Sequence, residues 1–424
     1  MYLRGQVSKH LALSAICWAT LLPGWVLAAG ATLYESGSLD MGMASAGRAA
    51  IAMDANSAFT NPAGMTQLGQ EQISTSLVPF YMRADFQTDN DNTAQGGSGG
   101  NQAGWLASAS FAYVKPLSDR WALGVAAFTY YGNGLDPNDN WAGRFQLEYV
   151  DHTTFNLLPS LAYRVSDNIS IGLGLGVQYS AFEEKILISE RSVDNIRLDA
   201  DEDSFEPLFN ISFYYTPFAN TVIGFNYFGE VSHHFNTDSA YKGPPPPDAL
   251  PIAAEGFEVD LNVPQHALLS FKQGLSESLY LTGTVAWAEH SRYGTMGLAY
   301  EGLLLGDKGI ETDLEWDDAW SGAVGLMYEW REWLFTTGFS YDESTTTTAT
   351  RIPSYPTDDQ YRFAVGARRD IGKNMTLTMV YEYASLGEGK LDIEDIRKTR
   401  LSGEYKDYDI NFFGLSLNYL FDAN

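Results

Sequence analysis

The last strand of the chain alternates. Phe413, Leu415, Leu417, Tyr419 and Phe421 share one face, and Gly414, Ser416 and Asn418 share the other. The same pattern is cleanest upstream. Ile169, Ile171, Leu173, Leu175, Val177 and Tyr179 alternate with Ser170, Gly172, Gly174, Gly176 and Gln178. It recurs from residue 72 to the end, with no helical periodicity to supply a cover for the apolar face. A sheet that is greasy on one side and small or polar on the other can close with lipid outside and a lumen inside. The expected fold class is all-β, a transmembrane antiparallel β-barrel in the outer membrane of a Gram-negative bacterium.

Turn chemistry gives the strand count. Short connections fall at Pro116 to Arg120, Ser166 to Asn168, Thr216 to Asn220, Gln273 to Glu277, Arg331-Glu332 and Arg369 to Lys373. They alternate with long polar connections, which predicts about fourteen strands, with short turns facing the periplasm and long loops facing outward. Of the long connections, Gly96 to Gly100 is expected to be flexible, Pro244 to Pro247 stiff, and Thr345 to Thr348 an exposed loop. Strand 3 runs into Tyr130-Tyr131-Gly132-Asn133-Gly134. Glycine in a strand often marks a bend, so Gly132 and Gly134 are candidate kink positions, the alternative being an ordinary turn into the outer loop.

The N-terminus differs. Arg4, Lys9 and His10 precede an apolar run from Leu11 to Leu27, and Val26-Leu27-Ala28 offers small residues for cleavage. Residues 1–28 therefore read as a signal peptide. Cys17, the single cysteine, lies within it, so the mature chain would carry no disulfide or thiolate metal site. Residues 29–71 are rich in Ala and Gly without strand alternation, and are expected to form an N-terminal plug inside a barrel of residues 72–424. The net charge of −27 excludes nucleic acid as a partner. The acids gather in apparent loops, which read as solvated surface or as sites where divalent cations bridge to lipopolysaccharide.

At Gly47 to Met65 the sequence resembles a known family. Gly47-Arg48-Ala49-Ala50-Ile51-Ala52-Met53-Asp54-Ala55 followed by Asn61-Pro62-Ala63-Gly64-Met65 looks like the hatch of FadL-type long-chain fatty acid transporters. Trp141 to Phe145, Pro159 to Val165, Trp287 to Tyr293 and Phe363 to Arg368 extend the likeness across the mature chain. The resemblance implies capture of a hydrophobic ligand outside, passage through an apolar pocket beside the plug, and lateral release through an opening at a kinked strand 3. Long-chain fatty acids are the implied cargo, taken up without ATP, with aromatic hydrocarbons as the alternative within the family.

Several residues are candidates for that path. Phe59 and Met65 are apolar and flank the Asn61-Pro62-Ala63 motif, and Leu33 near the new N-terminus is placed to meet a lipid tail. Arg48 and Arg144 carry guanidinium forks that match a ligand carboxylate, though salt bridges to plug or barrel acids are the simpler explanation of each. Asn61-Pro62-Ala63, with Gly47, forms the plug motif, and Pro62 fixes a rigid turn. No cofactor is expected. The protein is expected to be a monomer surrounded by outer-membrane lipid and lipopolysaccharide and folded by the barrel assembly machinery.

A porin, an adhesin and a barrel lipase are the rival classes. A lipase needs a serine and a histidine in reach, yet no Gly-x-Ser-x-Gly elbow occurs. His266 and His290 read as girdle or loop residues, and adjacent His233 and His234 should point to opposite faces of a strand.

Overall fold

The computed structural model describes residues 34–189, 196–237, 241–242, 256–293, 295–301, 308–394 and 398–422. Residues 1–28, expected to be a signal peptide, Cys17 among them, lie outside these residues, as do Leu33 and the Pro244 to Pro247 run. Fourteen antiparallel strands form a closed wall. They are β1 (Gln72–Thr88), β2 (Trp105–Pro116), β3 (Trp121–Phe128, resuming as Gly132–Leu135), β4 (Tyr149–Ser166), β5 (Ile169–Ser189) and β6 (Ile196–Phe218). Then come β7 (Thr221–Phe228, then Val231–Thr237), β8 (Gly256–Val263, then His266–Gly274), β9 (Leu279–Ala288, then Thr295–Glu301) and β10 (Lys308–Asp313, then Ala319–Trp330). The last four are β11 (Trp333–Asp342), β12 (Gln360–Asp370), β13 (Met375–Ser385) and β14 (Arg400–Leu420). Closure is made by β1 against β14, with Gln72 opposite Leu420 and Leu77 opposite Leu415.

The two faces sort as the alternation requires. Leu173, Leu175, Phe413 and Leu415 face outward, whereas Ser170, Gln178, Ser416 and Asn418 are buried. Trp105, Phe205 and Phe363 mark the outer aromatic girdle, and Trp121, Phe218 and Trp330 the periplasmic one. Among the described residues no helix is long and apolar enough to cross a membrane.

The short turns fall where expected, but the outer ends do not. Strands β7 to β10 all break at one level, and their outer halves pair as a separate four-stranded sheet. The breaks fall at Gly229-Glu230, at Pro264-Gln265, at a helical turn His290–Tyr293, and between Asp313 and Ala319. Proline lacks a ladder donor and glycine weakens a strand, which accounts for the first two breaks. The threonine run is also not simply exposed. Thr345 and Thr346 are buried, and Thr346 accepts from Arg351 Nε at 3.1 Å while donating to the Thr357 carbonyl at 3.1 Å.

Residues 34–68 lie inside the lumen as short helical turns, Leu39–Met43, Ser57–Thr60 and Pro62–Gln67. Such a segment cannot satisfy its own backbone, so the wall does it. Thr284 accepts from Gly47 N–H and donates to the Ser45 carbonyl, both at 2.9 Å. Ser270 accepts from Ala49 N–H, Ser212 from Ala63 N–H, and Asn226 donates to the carbonyls of Phe59 and Thr60. Ser108 and Ser110 of β2 donate to the carbonyls of Glu35 and Ser36. The polar lumen face thus grips protein rather than lining a water channel.

Candidate functional site

The Asn61-Pro62-Ala63 turn anchors the inner segment. Asn61 caps the turn by accepting from Ala63 N–H at 3.1 Å, with Pro62 in the first helical position. Its amide donates to the Ala49 carbonyl at 2.6 Å and to the Phe213 carbonyl of β6 at 3.0 Å. The motif's polar atoms therefore hold the turn to the wall. Gly47 sits at φ +83°, where an added Cβ would meet the Thr282 side chain at 2.9 Å. Asn61→Ala removes the cap and both donated bonds. The expected loss is about 1–2 kcal/mol of local stability, read as faster amide exchange of residues 57–67 than in the wild type.

Arg48 lies at the centre of the segment and is buried. Its guanidinium pairs with Asp40 at 2.6 Å, donates to the Tyr34 carbonyl at 3.0 Å and to Ser36 Oγ at 3.3 Å, and packs over the rings of Tyr34 and Phe59. Two further barrel arginines hold the segment: Arg368 pairs with Asp54 at 2.7 Å and Arg362 with Glu35 at 3.0 Å. Phe59 stacks on Phe128 at 4.7 Å, and Met65 belongs to the same buried cluster, with Ser160 Oγ 3.8 Å from its sulfur. Arg48, Phe59 and Met65 are thus brought together. Arg144 is not with them. It lies in the outer loop between β3 and β4, donates to the carbonyl of Trp141 at 2.8 Å, and stacks over Phe145.

Beside Phe59 the wall bends. From Phe128 to Gly132, β3 advances four residues while β4 advances three, from Asn156 to Thr153. One extra residue is a bulge, and it turns Tyr130 and Tyr131 into the lumen, where both are buried. The break lies at Thr129 to Tyr131, just ahead of Gly132 and Gly134. These glycines rejoin the pairing with β4, and neither has a positive φ. Because β3 swings inward, its ladder with β2 stops at Ser110 opposite Phe128. Above that point Trp105 to Ala109 pair with β1 alone, until Asp136 N–H reaches the Gln102 carbonyl at 2.7 Å. The wall therefore has a gap between β2 and β3, where backbone groups forgo pairing at membrane depth. Such a defect is tolerated only where it borders a cavity or protein.

The gap opens toward an aromatic chamber. Phe128, Tyr130, Leu208, Phe228, Val231, Val263 and His266 line a narrow space there. His266 stacks on Tyr130 at 4.5 Å and on Phe228 at 5.0 Å, and Tyr34 meets Tyr130 edge-on at 5.9 Å. Farther outward, His152, Phe182, Tyr293, Trp316 and Tyr355 border a second small space. None of these side chains stands out in the sequence as a ligand contact. The visible signal was the doubled Tyr130-Tyr131, which interrupts the alternation.

The histidines correct the expectation of girdle or loop positions. His152, His233, His266 and His290 are buried in the interior. His233 and His234 do face opposite ways: His233 bonds to Gln178 inside, and His234 pairs with Asp260 at 2.6 Å on the exposed side. Ser291 donates to Asp318 at 2.7 Å. Among the described residues no group of three or more His, Cys, Asp or Glu is placed to hold a metal ion.

An antiparallel barrel with an apolar belt, aromatic girdles, an occupied lumen and a gap in its wall is an outer-membrane channel protein. The profile of the outer membrane protein transport family (OMPP1/FadL/TodX) matches residues 19–421, and the chain belongs to that family. Its membership places it in the outer membrane of a Gram-negative bacterium, in a family of transport proteins. It is 26% identical to a long-chain fatty acid transport protein of Escherichia coli O6:H1, over 80% of this chain and 82% of that one. It is 25% identical to outer membrane protein P1 of Haemophilus influenzae, over 95% and 97%. A Pseudomonas aeruginosa FadL homologue superposes with TM-score 0.82 at 21% identity, covering 93% of this chain and all of that structure. The Pseudomonas putida toluene transporter TodX gives 0.68 at 13%, covering 92% and 99%.

Proposed function

We propose that the protein carries long-chain fatty acids or similar hydrophobic molecules inward, passively, through the aromatic chamber and out sideways between β2 and β3. The observation that carries this reading is the gap, which opens on an apolar chamber rather than on a water-filled lumen. An apolar solute gains nothing in a polar pore, whereas a path lined by Phe59, Phe128 and Phe228 lowers its transfer cost. Residues 34–71 act as the plug that blocks polar solutes. In this reading Met65 backs the chamber, Leu33 meets the ligand tail, and Gly132 and Gly134 let the bent segment re-enter the wall. Arg48 and Arg144 serve a ligand carboxylate only by exchanging present partners.

The protein is read as a transporter without catalysis, working as a monomer among outer-membrane lipid and lipopolysaccharide after insertion by the barrel assembly machinery. Aromatic hydrocarbon uptake is the second reading, favoured by the density of rings around the chamber. The test deletes Thr129, which removes the extra residue and lets β3 pair without a bulge. Uptake of radiolabelled long-chain fatty acid and of toluene is measured in cells lacking their own transporters. Uptake of the acid by the wild type, and background uptake by the assembled deletion variant, is the expected result. Toluene uptake alone moves the cargo to hydrocarbons. Undiminished uptake by the deletion variant sinks the lateral route.

A further inference from the structure

The chamber carries two polar atoms that the protein leaves unsatisfied. Tyr130 Oη and His266 Nε2 have no hydrogen-bond partner, and each residue is 3% exposed. Both side chains line the chamber, and their rings stack on each other. An unmade hydrogen bond in a buried site is costly, so a pair in one wall calls for an occupant. Gln178, which also lines the chamber, donates to Asn156 at 2.8 Å and bonds His233 at 2.9 Å.

The donor and acceptor roles can be assigned. His266 Nδ1 lies 3.5 Å from the Pro264 carbonyl, a long contact that favours the proton on Nδ1 and leaves Nε2 as an acceptor. The Tyr130 hydroxyl donates. The cation on this side is Arg48, which packs over the Tyr34 ring that meets Tyr130 edge-on. Its charge is already matched by Asp40. A carboxylate brought here would lose its water without gaining a free cation. A plain hydrocarbon would leave both protein atoms orphaned. An uncharged hydroxyl group accepts from Tyr130 and donates to His266, meeting both needs.

We infer that the chamber holds a subsite for an uncharged, hydroxyl-bearing hydrophobe, with Tyr130 as donor and His266 Nε2 as acceptor. A long-chain primary alcohol is the simplest member of that class, and a protonated fatty acid has the same donor-acceptor pair. This inference rests on the transport reading and specifies the headgroup that its chamber prefers.

The test measures binding of 1-dodecanol, dodecane and dodecanoate to the mature protein in lipid nanodiscs, above the carboxylate titration range. The expected result is alcohol binding at least about tenfold tighter than alkane, the ratio one net hydrogen bond supplies. Tyr130→Phe and His266→Phe, which keep a ring at each position, should each erase that ratio, read as alcohol against alkane binding within the same variant. Tyr130→Phe removes a single atom, so it reports even where the histidine variant fails to fold. Equal alcohol and alkane binding by the wild type overturns the subsite, as does a carboxylate preference untouched by either variant. Should cells still take up fatty acid in those cases, the transport reading survives without the subsite. Absence of uptake of any hydrophobic probe would instead remove the transport reading.

Discussion

Replacing Gly224 and Gly338 by valine should turn the barrel into an open pore. Gly224 faces the lumen, and a Cβ there would sit 1.8 Å from the Ala49 carbonyl oxygen and 2.3 Å from its carbon. At Gly338 the overlap is with Met43, at 2.1 Å from the carbonyl oxygen. Both obstacles are backbone, so no side-chain rotation relieves them, and the valine methyls extend the clash. Around both glycines the wall is a continuous ladder that holds its register. The inner segment has only short turns and loses its fit on both sides. Its contacts with Ser270 and Thr284 flank these positions and should fail together. Single-channel conductance in planar bilayers, with cell sensitivity to large polar antibiotics, reads the outcome. A variant barrel that assembles normally and stays as tight as wild type would show that residues 34–71 do not seal the lumen.

Arg48→Ala should have the second-largest effect. The guanidinium and Asp40 are both buried, and truncating one partner leaves the other charge unpaired, at a cost of about 3–5 kcal/mol. The same substitution removes the donors to Tyr34 and Ser36, which order the segment from Tyr34 to Met43. The expected readout is a gain of roughly a hundredfold or more in amide exchange for residues 34–43, following from that cost. Pairing Arg48→Met with Asp40→Leu should recover most of the protection, because an apolar pair of similar volume replaces a buried ion pair at little cost. Unchanged exchange in Arg48→Ala would mean that wall contacts such as those of Ser108 and Ser110 hold that segment by themselves. If Arg48 also serves a ligand carboxylate, Asp40→Asn should tighten fatty acid binding by freeing the guanidinium.

Much of the fold was legible in the alternation. The period of two in Ile169 to Tyr179 and Phe413 to Phe421 reports which face meets lipid, since each side chain answers locally to the medium it touches. The turns at Arg331-Glu332 and Arg369 to Lys373 were legible for a similar reason. Arg331 takes a positive φ of 58° and Gly372 one of 88°, local geometry set by a few residues.

The site was legible only in part. Asn61-Pro62-Ala63 announced a rigid turn, because cap and proline act within a few residues. The identity of the partners was not available. Arg48 pointed to a plug or barrel acid or to a ligand carboxylate, and only the structure showed that the acid is Asp40, eight residues away along the chain. His266, inside a predicted strand, looked like a girdle residue and became the wall of a chamber. Its neighbours Tyr130 and Phe228 come from β3 and β7, far away in sequence.

The sequence by itself determined that this chain forms a barrel in lipid, with about fourteen strands and a distinct small-residue segment ahead of them. Those properties follow from side-chain period and turn chemistry, which are local. Only the tertiary structure decided that the polar face grips that segment, that one extra residue in β3 opens the wall, and that an aromatic chamber lies behind the opening. Each of these depends on register between strands and on contacts across the lumen, where residues distant in sequence first meet.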